Sequence, residues 1–474
     1  MNLRCLFLVL VVLLRAWTPA RAQATLQDFG YQHMRVNNAL PSGHRPLLVI
    51  VADFAGDPVL AHDRNYYDQL TFDLFSSLSV NGYFLENSLG RFYWSRAGQG
   101  TIGPVPFTAQ ERDEIRLDDA AGISRVITKA ATWSGFSFDP FDANSDGMIT
   151  DDELAILIFS NDIDSPGASR SIDPSGCLRP PGSAVNVCCV VAIAFHETTT
   201  PQGGSTQYFE DVLHELSHSL GAVDLYYGPD AGACLSNGLT AMSCSRNVPL
   251  HLDPWHKMQL GWVEPRIRSL RAGGVETLPI PQLGQPDAPV ILYDPQFGTS
   301  DFFMIEYRSK SVPSYAGYDT GVASEGLAIW YIKQDQNHDP VEFPNDIPKV
   351  VIHRGAPGLD RAGSVLWKSG ETTPHLNWLY APNMPSKIVV RPFNAGDSAI
   401  TFEWLWEGEM WVDFNYFGPE FGTFGSPFNT VAEGVNAVPW GGTLQIKAGS
   451  STERPSIAKR MVIQAYGGSV TIGR

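Results

Sequence analysis

Apolar residues run without interruption through "RPLLVIVADF" (45–54), the pattern of a strand buried on both faces. "YFLENSLGRFYW" (83–94) reads as a second strand-like segment. "DDAAGISRVITKAATWSG" (118–135) instead carries its apolar residues at helical spacing and ends at Gly135, a suitable residue just past a helix end. "LAILIF" (154–159) and "CCVVAIAF" (188–195) are β-branched runs of strand length. Strands and helices are thus mixed up to about Pro265. From Arg266 to about Trp406 the pattern changes to short alternating runs broken by Pro, Gly and Asp, among them "FFMIEYRSK" and "GLAIWYIK", which is β-sandwich-like punctuation. The remainder to Arg474 is Gly-rich and β-prone, similar to the opening coils of a parallel β-helix, and the chain shows no fixed-period repeat.

One helical stretch stands apart. In "FEDVLHELSHSLGAVD" (209–224), Phe209, Val212, Leu213, Leu216 and Leu220 form one stripe at about 100° per residue, while His214 and His218 point the other way. Residues four apart share a helix face, so two imidazoles can reach one metal ion. Glu215 lies about 100° round from His214. Together they make H-E-x-x-H, in which zinc polarises a water and the glutamate takes its proton. Gly221 lets the chain turn out of the helix, and Asp224 falls where a third ligand can return to the ion. The plainer readings are a surface helix with two solvated histidines, or an Asp224 that only caps its loop while a downstream His or Glu supplies the third ligand.

"DANSDGMITDDE" (142–153) has the spacing of a calcium loop. Asp142, Asn144 and Asp146 stand at its alternate side-chain positions, Gly147 at the turn, Met148 at the backbone-carbonyl position and Glu153 at the closing carboxylate. The strand-like "LAILIF" follows where a second helix would complete a sensor unit, so a single structural Ca2+ loop is expected. The alternative is an Asx-rich turn without metal.

Composition narrows the class. The net charge of −17 argues against a nucleic-acid partner and for an acidic, solvated surface on which cations offset part of the carboxylate excess. At 43% hydrophobic and 11% aromatic the chain can bury sizeable cores, and its 474 residues predict two or three domains. The opening "MNLRCLFLVLVVLLRAWTPARA" reads as a cleaved secretory signal: an arginine, an apolar run too short to span a bilayer, and a small-residue cleavage site ending at Ala22. Once Cys5 leaves with it, Cys177, Cys188, Cys189, Cys234 and Cys244 remain, an odd number in a compartment where disulfides form. We expect Cys234 to pair with Cys244, and Cys177 with Cys188 or Cys189.

"HELSHSLGAVDLYY", followed by "GLTAMSCS" and "HLDPWHKMQLGWVEP", resembles the immune inhibitor A-type secreted metallopeptidases, relatives of the metzincins. The resemblance runs from about residue 45 to 335. It implies His214, His218 and Asp224 as zinc ligands, Glu215 as general base, and Met242 as the methionine of the turn beneath the metal. Two departures stand out. Members commonly carry a long propeptide, whereas a short leader is expected here; and some metzincins place a tyrosine two residues after that methionine, where this chain has Cys244. Tyr226, His251 and His256 are the candidates to stabilise an oxyanion instead.

The resulting expectation is an α/β (α+β) fold. A signal (1–22) and a short, polar and irregular leader (23–44) precede a zincin-like metallopeptidase domain (45–265). A β-rich, sandwich-like domain (266–408) and a C-terminal β segment (409–474) follow. The expected activity is that of a secreted, monomeric zinc endopeptidase with Zn2+ and Ca2+ as cofactors, acting on proteins or peptides, without stable membrane insertion. The alternative is a non-catalytic, calcium-stabilised adhesin or glycan-binding protein on a degenerate protease fold.

Overall fold

The computed structural model describes residues 24–31, 42–74, 79–117, 119–162, 168–171, 177–193, 206–225, 239–242, 250–281, 288–295, 298–309, 318–319, 325–333, 350–352, 366–373, 375–376, 387–396 and 399–473. They form a mixed α/β structure with several sheets and seven α-helices. In chain order come β1 (Gly43–Phe54), α1 (Arg64–Phe72), α2 (Val80–Asn87), β2 (Phe92–Phe107), α3 (Ala109–Glu114) and α4 (Ala120–Ser134). Next are β3 (Met148–Ile149), β4 (Ala155–Ser160), β5 (Ala168–Ser171), β6 (Asn186–Val187), β7 (Val190–Ile193), α5 (Thr206–His218) and α6 (Pro254–Gln259).

The first sheet has the order β2-β1-β4-β7-β5, parallel except for the last pair. Successive side chains of a strand face opposite ways, and β1 uses both directions. Leu47, Val49 and Val51 pack into one core with Val212, Leu213 and Leu216 of α5 and Leu220 just beyond it, whereas Leu48, Ile50 and Ala52 join Ile123, Val126 and Ile127 of α4 in another. Hence the unbroken apolar run: a polar residue anywhere in it would be buried on one side or the other. α4 starts at the Asp119 cap, which accepts the Gly122 N–H, and ends at Gly135 with φ +71°, as its sequence spacing indicates.

Two expectations need correction. "YFLENSLGRFYW" is not one strand: its first half belongs to α2, capped by Ser79, and Leu89 and Gly90 turn the chain at positive φ into β2. Buried polar contacts decide this. Asn81 exchanges hydrogen bonds with the Trp94 backbone at 2.7 and 2.8 Å, and Asn87 accepts the Leu252 N–H at 2.8 Å, partners that no local pattern reveals. Nor is the leader wholly irregular. Leu26–Phe29 form a 3-10 turn, and the fully buried Phe29 meets Tyr293 and Phe302 edge-on at centroid distances of 5.2 and 5.0 Å.

The later strands are β8 (Arg266–Ser269), β9 (Gly274–Pro279), β10 (Val290–Tyr293), β11 (Asp301–Arg308), β12 (Gly326–Lys333), β13 (Val350–Ile352), β14 (Ile388–Gly396) and β15 (Ala399–Trp406). They make two sheets, β13-β12-β11-β10-β8 and β14-β15-β9, with a shared core between them. β11 again divides its side chains: Phe303 and Ile305 enter that core, while Phe302 and Met304 join the core beneath α5. One hydrophobic core therefore runs across residue 265. Beyond it, β16 (Glu409–Val412), α7 (Val431–Ala437), β17 (Thr443–Ser451) and β18 (Val462–Ile472) follow, the three strands stacking in parallel in chain order.

Cys177 is bonded to Cys188, and Cys189, its neighbour between β6 and β7, is a buried free thiol. Cys234 and Cys244 lie outside the described residues, as does the signal. No described helix is long and apolar enough to cross a membrane. Because Phe29 bridges the leader to β10 and β11, Phe29→Ala is expected to cost about 3–5 kcal/mol of stability. Urea unfolding checks this, and a loss below about 1 kcal/mol would mean that the leader is dispensable.

Candidate metal centre

α5 owes its orientation to its apolar stripe. Val212, Leu213, Leu216 and Leu220 are fully buried beneath the sheet, so His214 and His218 are turned towards the opposite side, their ring centroids 5.0 Å apart. The helix stops as its sequence indicates. Gly221 N–H donates to His218 O at 2.9 Å and Ala222 N–H to Ser217 O at 3.1 Å, with Gly221 at φ +89°. That left-handed conformation costs glycine least, and it sends the chain back over the histidines.

The returning chain places two oxygens on the imidazoles. His218 Nδ1 lies 2.8 Å from Ala222 O, and His214 Nδ1 lies 2.7 Å from Ala241 O. Since a carbonyl only accepts, each Nδ1 carries the hydrogen and each Nε2 is left for another partner. Both Nε2 atoms face Asp224 Oδ1, at 2.9 Å from His214 and 3.4 Å from His218. That oxygen is buried and receives no well-directed hydrogen bond from the described residues. Two imidazole nitrogens and a carboxylate oxygen thus converge, an arrangement balanced either by a proton on His214 Nε2 or by a cation in its place. The carboxylate of Glu215 completes a compact group, its oxygen and the two imidazole nitrogens within 4.8 Å of one another.

The electrostatics point the same way. Burial opposes a charged His214, but the adjoining Asp224 and the Glu215 carboxylate outweigh it and push the imidazole up to about 9. Burial would raise the Asp224 carboxyl, yet the two histidines hold it well below the usual range. The pocket therefore attracts positive charge. With the His214 proton displaced, the two imidazoles and the carboxylate could hold a metal ion, and the ring N–H groups fixed on carbonyls supply the outer support such ligands need.

Beneath the rings runs the segment 239–242. Met242 is fully buried in the core that takes the apolar stripe of α5, and its carbonyl accepts the Leu225 N–H at 2.7 Å. β11 secures this segment from below: the buried Arg308 donates to Leu239 O at 2.8 Å and to Asp319, which in turn accepts the His251 N–H at 3.1 Å. Burial disfavours both charges. Their mutual contact overrides it, raising the guanidinium and lowering the Asp319 carboxyl.

Of the oxyanion candidates, His251 is committed to Glu86 and His256 to Asp253 and the Val223 amide. Tyr226 lies outside the described residues. The roles of Asp253, Thr240 and Arg308 are not legible in the sequence. Only "DPWH" carries a signal, as an Asp cap followed by Pro at the first helical position.

The acidic loop takes its place between α4 and β4. Gly147 has φ +82°; Asp142 accepts the Asp146 and Gly147 amides, Asn144 and Asp146 accept amides two residues on, and Glu153 reaches back to the amides of Ala143 and Asn144. Met148 begins β3, which pairs with β6, and the chain continues into strand β4. Asp142, Asn144, Asp146, Glu153 and the Met148 carbonyl are the oxygens available to a Ca2+ ion here. The loop is separate from the histidine group.

No family model matches this chain, and no curated protein matches it in sequence. The functional reading rests on the residues and their geometry.

If Asp224 completes the site, Asp224→Ala should weaken zinc binding at least about 100-fold, and Gly221→Val should do so indirectly by misdirecting the turn. Zinc titration of metal-stripped protein measures both, and wild-type affinity in Asp224→Ala would place the third ligand elsewhere. Calcium at about a hundred times its Kd should add roughly 2–3 kcal/mol to stability, a gain lost in Asp146→Ala. Melting curves that ignore both calcium and the substitution would reduce the loop to an ordinary turn.

Proposed function

We propose that the protein is a secreted zinc-dependent endopeptidase, its first half a zincin-like catalytic domain in the manner of the immune inhibitor A-type metallopeptidases. The observation that carries this reading is the convergence of His214 Nε2, His218 Nε2 and Asp224 Oδ1, with the Glu215 carboxylate beside them. His214, His218 and Asp224 would hold the ion, which when bound supplies Lewis-acid polarisation of the reacting oxygens. Glu215 takes the proton from the attacking water as it adds to the scissile carbonyl and hands it to the departing amine, so that one carboxylate serves as base and then acid. Ala241 and Ala222 keep the imidazoles oriented through their carbonyls. A calcium ion in the 142–153 loop would stiffen the junction between α4 and β4 and take no part in the chemistry. The Cys177–Cys188 disulfide supports an oxidising destination.

A casein or gelatin digestion assay, with and without chelator, tests the activity; no cleavage with zinc bound would favour a non-catalytic binding protein. Glu215→Ala is expected to lower the cleavage rate by about 10² to 10⁴ while zinc content stays near the wild-type level. Activity within tenfold of wild type would remove Glu215 from the role of base.

A further inference from the structure

We propose that Asp253 and His256 form a buried positioning pair that sets the third metal donor, Asp224, over the two histidines. The proposal rests on the metal-site reading above. Both side chains are completely buried. His256 Nδ1 lies 2.6 Å from Asp253 Oδ2, and its Nε2 accepts the Val223 N–H at 3.1 Å. Asp253 also accepts the His256 backbone N–H at 3.0 Å and the Thr240 hydroxyl at 3.0 Å, and returns its own N–H to that hydroxyl at 3.1 Å.

The partners reached are what give the pair its role. Val223 lies between Ala222, whose carbonyl holds His218, and Asp224, whose carboxylate faces both imidazoles. Thr240 precedes Ala241, whose carbonyl holds His214. One Asp–His pair therefore joins the strip above the imidazoles to the strip below them. It does so with a definite polarity. The carboxylate accepts the Nδ1 hydrogen, which leaves Nε2 as an acceptor, the only state of the ring that can receive a backbone amide. A ring with its hydrogen on Nε2 would meet the Val223 N–H donor to donor and push residues 222–224 out of register. A shift of that strip displaces Asp224 and releases His218 together. Outer groups of this kind typically contribute about 10- to 100-fold to metal affinity.

Co2+ titration of the metal-stripped full chain tests the pair, read by its visible absorption bands and by Kd, alongside the melting temperature of the metal-free protein. His256→Phe keeps an aromatic ring but removes the acceptor; Asp253→Asn is nearly isosteric and lets the ring hydrogen move to Nε2. Both should weaken Co2+ binding about 10- to 100-fold and alter the absorption bands; Asp253→Asn should do so with metal-free melting close to wild type, whereas His256→Phe leaves the buried Asp253 carboxylate unpaired and also lowers it. His256→Gln, whose side-chain oxygen can accept the Val223 N–H, should recover most of the affinity. If His256→Phe fails to fold, Asp253→Asn and His256→Gln carry the test. Wild-type Kd and spectrum in Asp253→Asn would overturn the proposal. So would a loss of affinity that only tracks lowered metal-free stability, with no recovery in His256→Gln. A wild-type chain that binds no Co2+ or Zn2+ would sink the metal site itself, an outcome distinct from failure of the pair alone.

Discussion

Three electron-pair donors held against one another in a poorly solvated pocket are repulsive unless positive charge lies among them. His214 Nε2, His218 Nε2 and Asp224 Oδ1 are in that position, and much of the surrounding structure keeps them there. Left to itself, the Asp224 loop would swing its carboxylate into water. It is prevented by the glycine-terminated helix end, by the carbonyls that hold each imidazole, and by the buried Asp253–His256 pair behind Val223. A bound cation would turn the same arrangement from a cost into a gain.

The support extends well beyond α5. The first sheet presents one set of β1 side chains to the helix and the other to α4, so that the helix lies on a rigid floor. β11 divides its residues in the same manner. Its Phe302 and Met304 complete the core beneath the histidine helix, and its Arg308 fastens Leu239, from which the chain continues to Ala241 and Met242 under the rings. The β-rich half is therefore structurally part of the site, and Phe29 of the leader closes the same core from the other side. The acidic loop follows α4, which packs on the other face of the first sheet from α5, and a bound ion there would act on stability and not on the reaction.

The correction at α2 shows how local pattern and global packing compete. Tyr83, Phe84, Phe92 and Trp94 suggested a single strand, since aromatic residues favour pleated surfaces. The segment instead folds as a helix followed by a strand, because Asn81, Glu86 and Asn87 find buried partners on Trp94, His251 and Leu252. A polar residue that is satisfied in the interior reads from sequence as a surface residue. The fate of the segment was decided by partners, some of them far along the chain.

Sequence alone determined whatever depends on neighbours within a few turns: the buried strand 45–54, the stop of α4 at Gly135, the opposed faces of α5, the turn at Gly221 and the calcium-type spacing of 142–153. Such features follow from helical and strand periodicity and from the conformational freedom of glycine, which act over short separations. It also indicated that Cys177 would pair with one of two adjacent cysteines, but not with which. Tertiary structure alone decided that Cys188 is the partner, that Phe29 belongs to the core, that Arg308 braces the floor of the site, and that His256 holds Val223. Each of these is a contact between segments remote in the chain, and its geometry is fixed by the packing of entire sheets and helices, which no local spacing encodes.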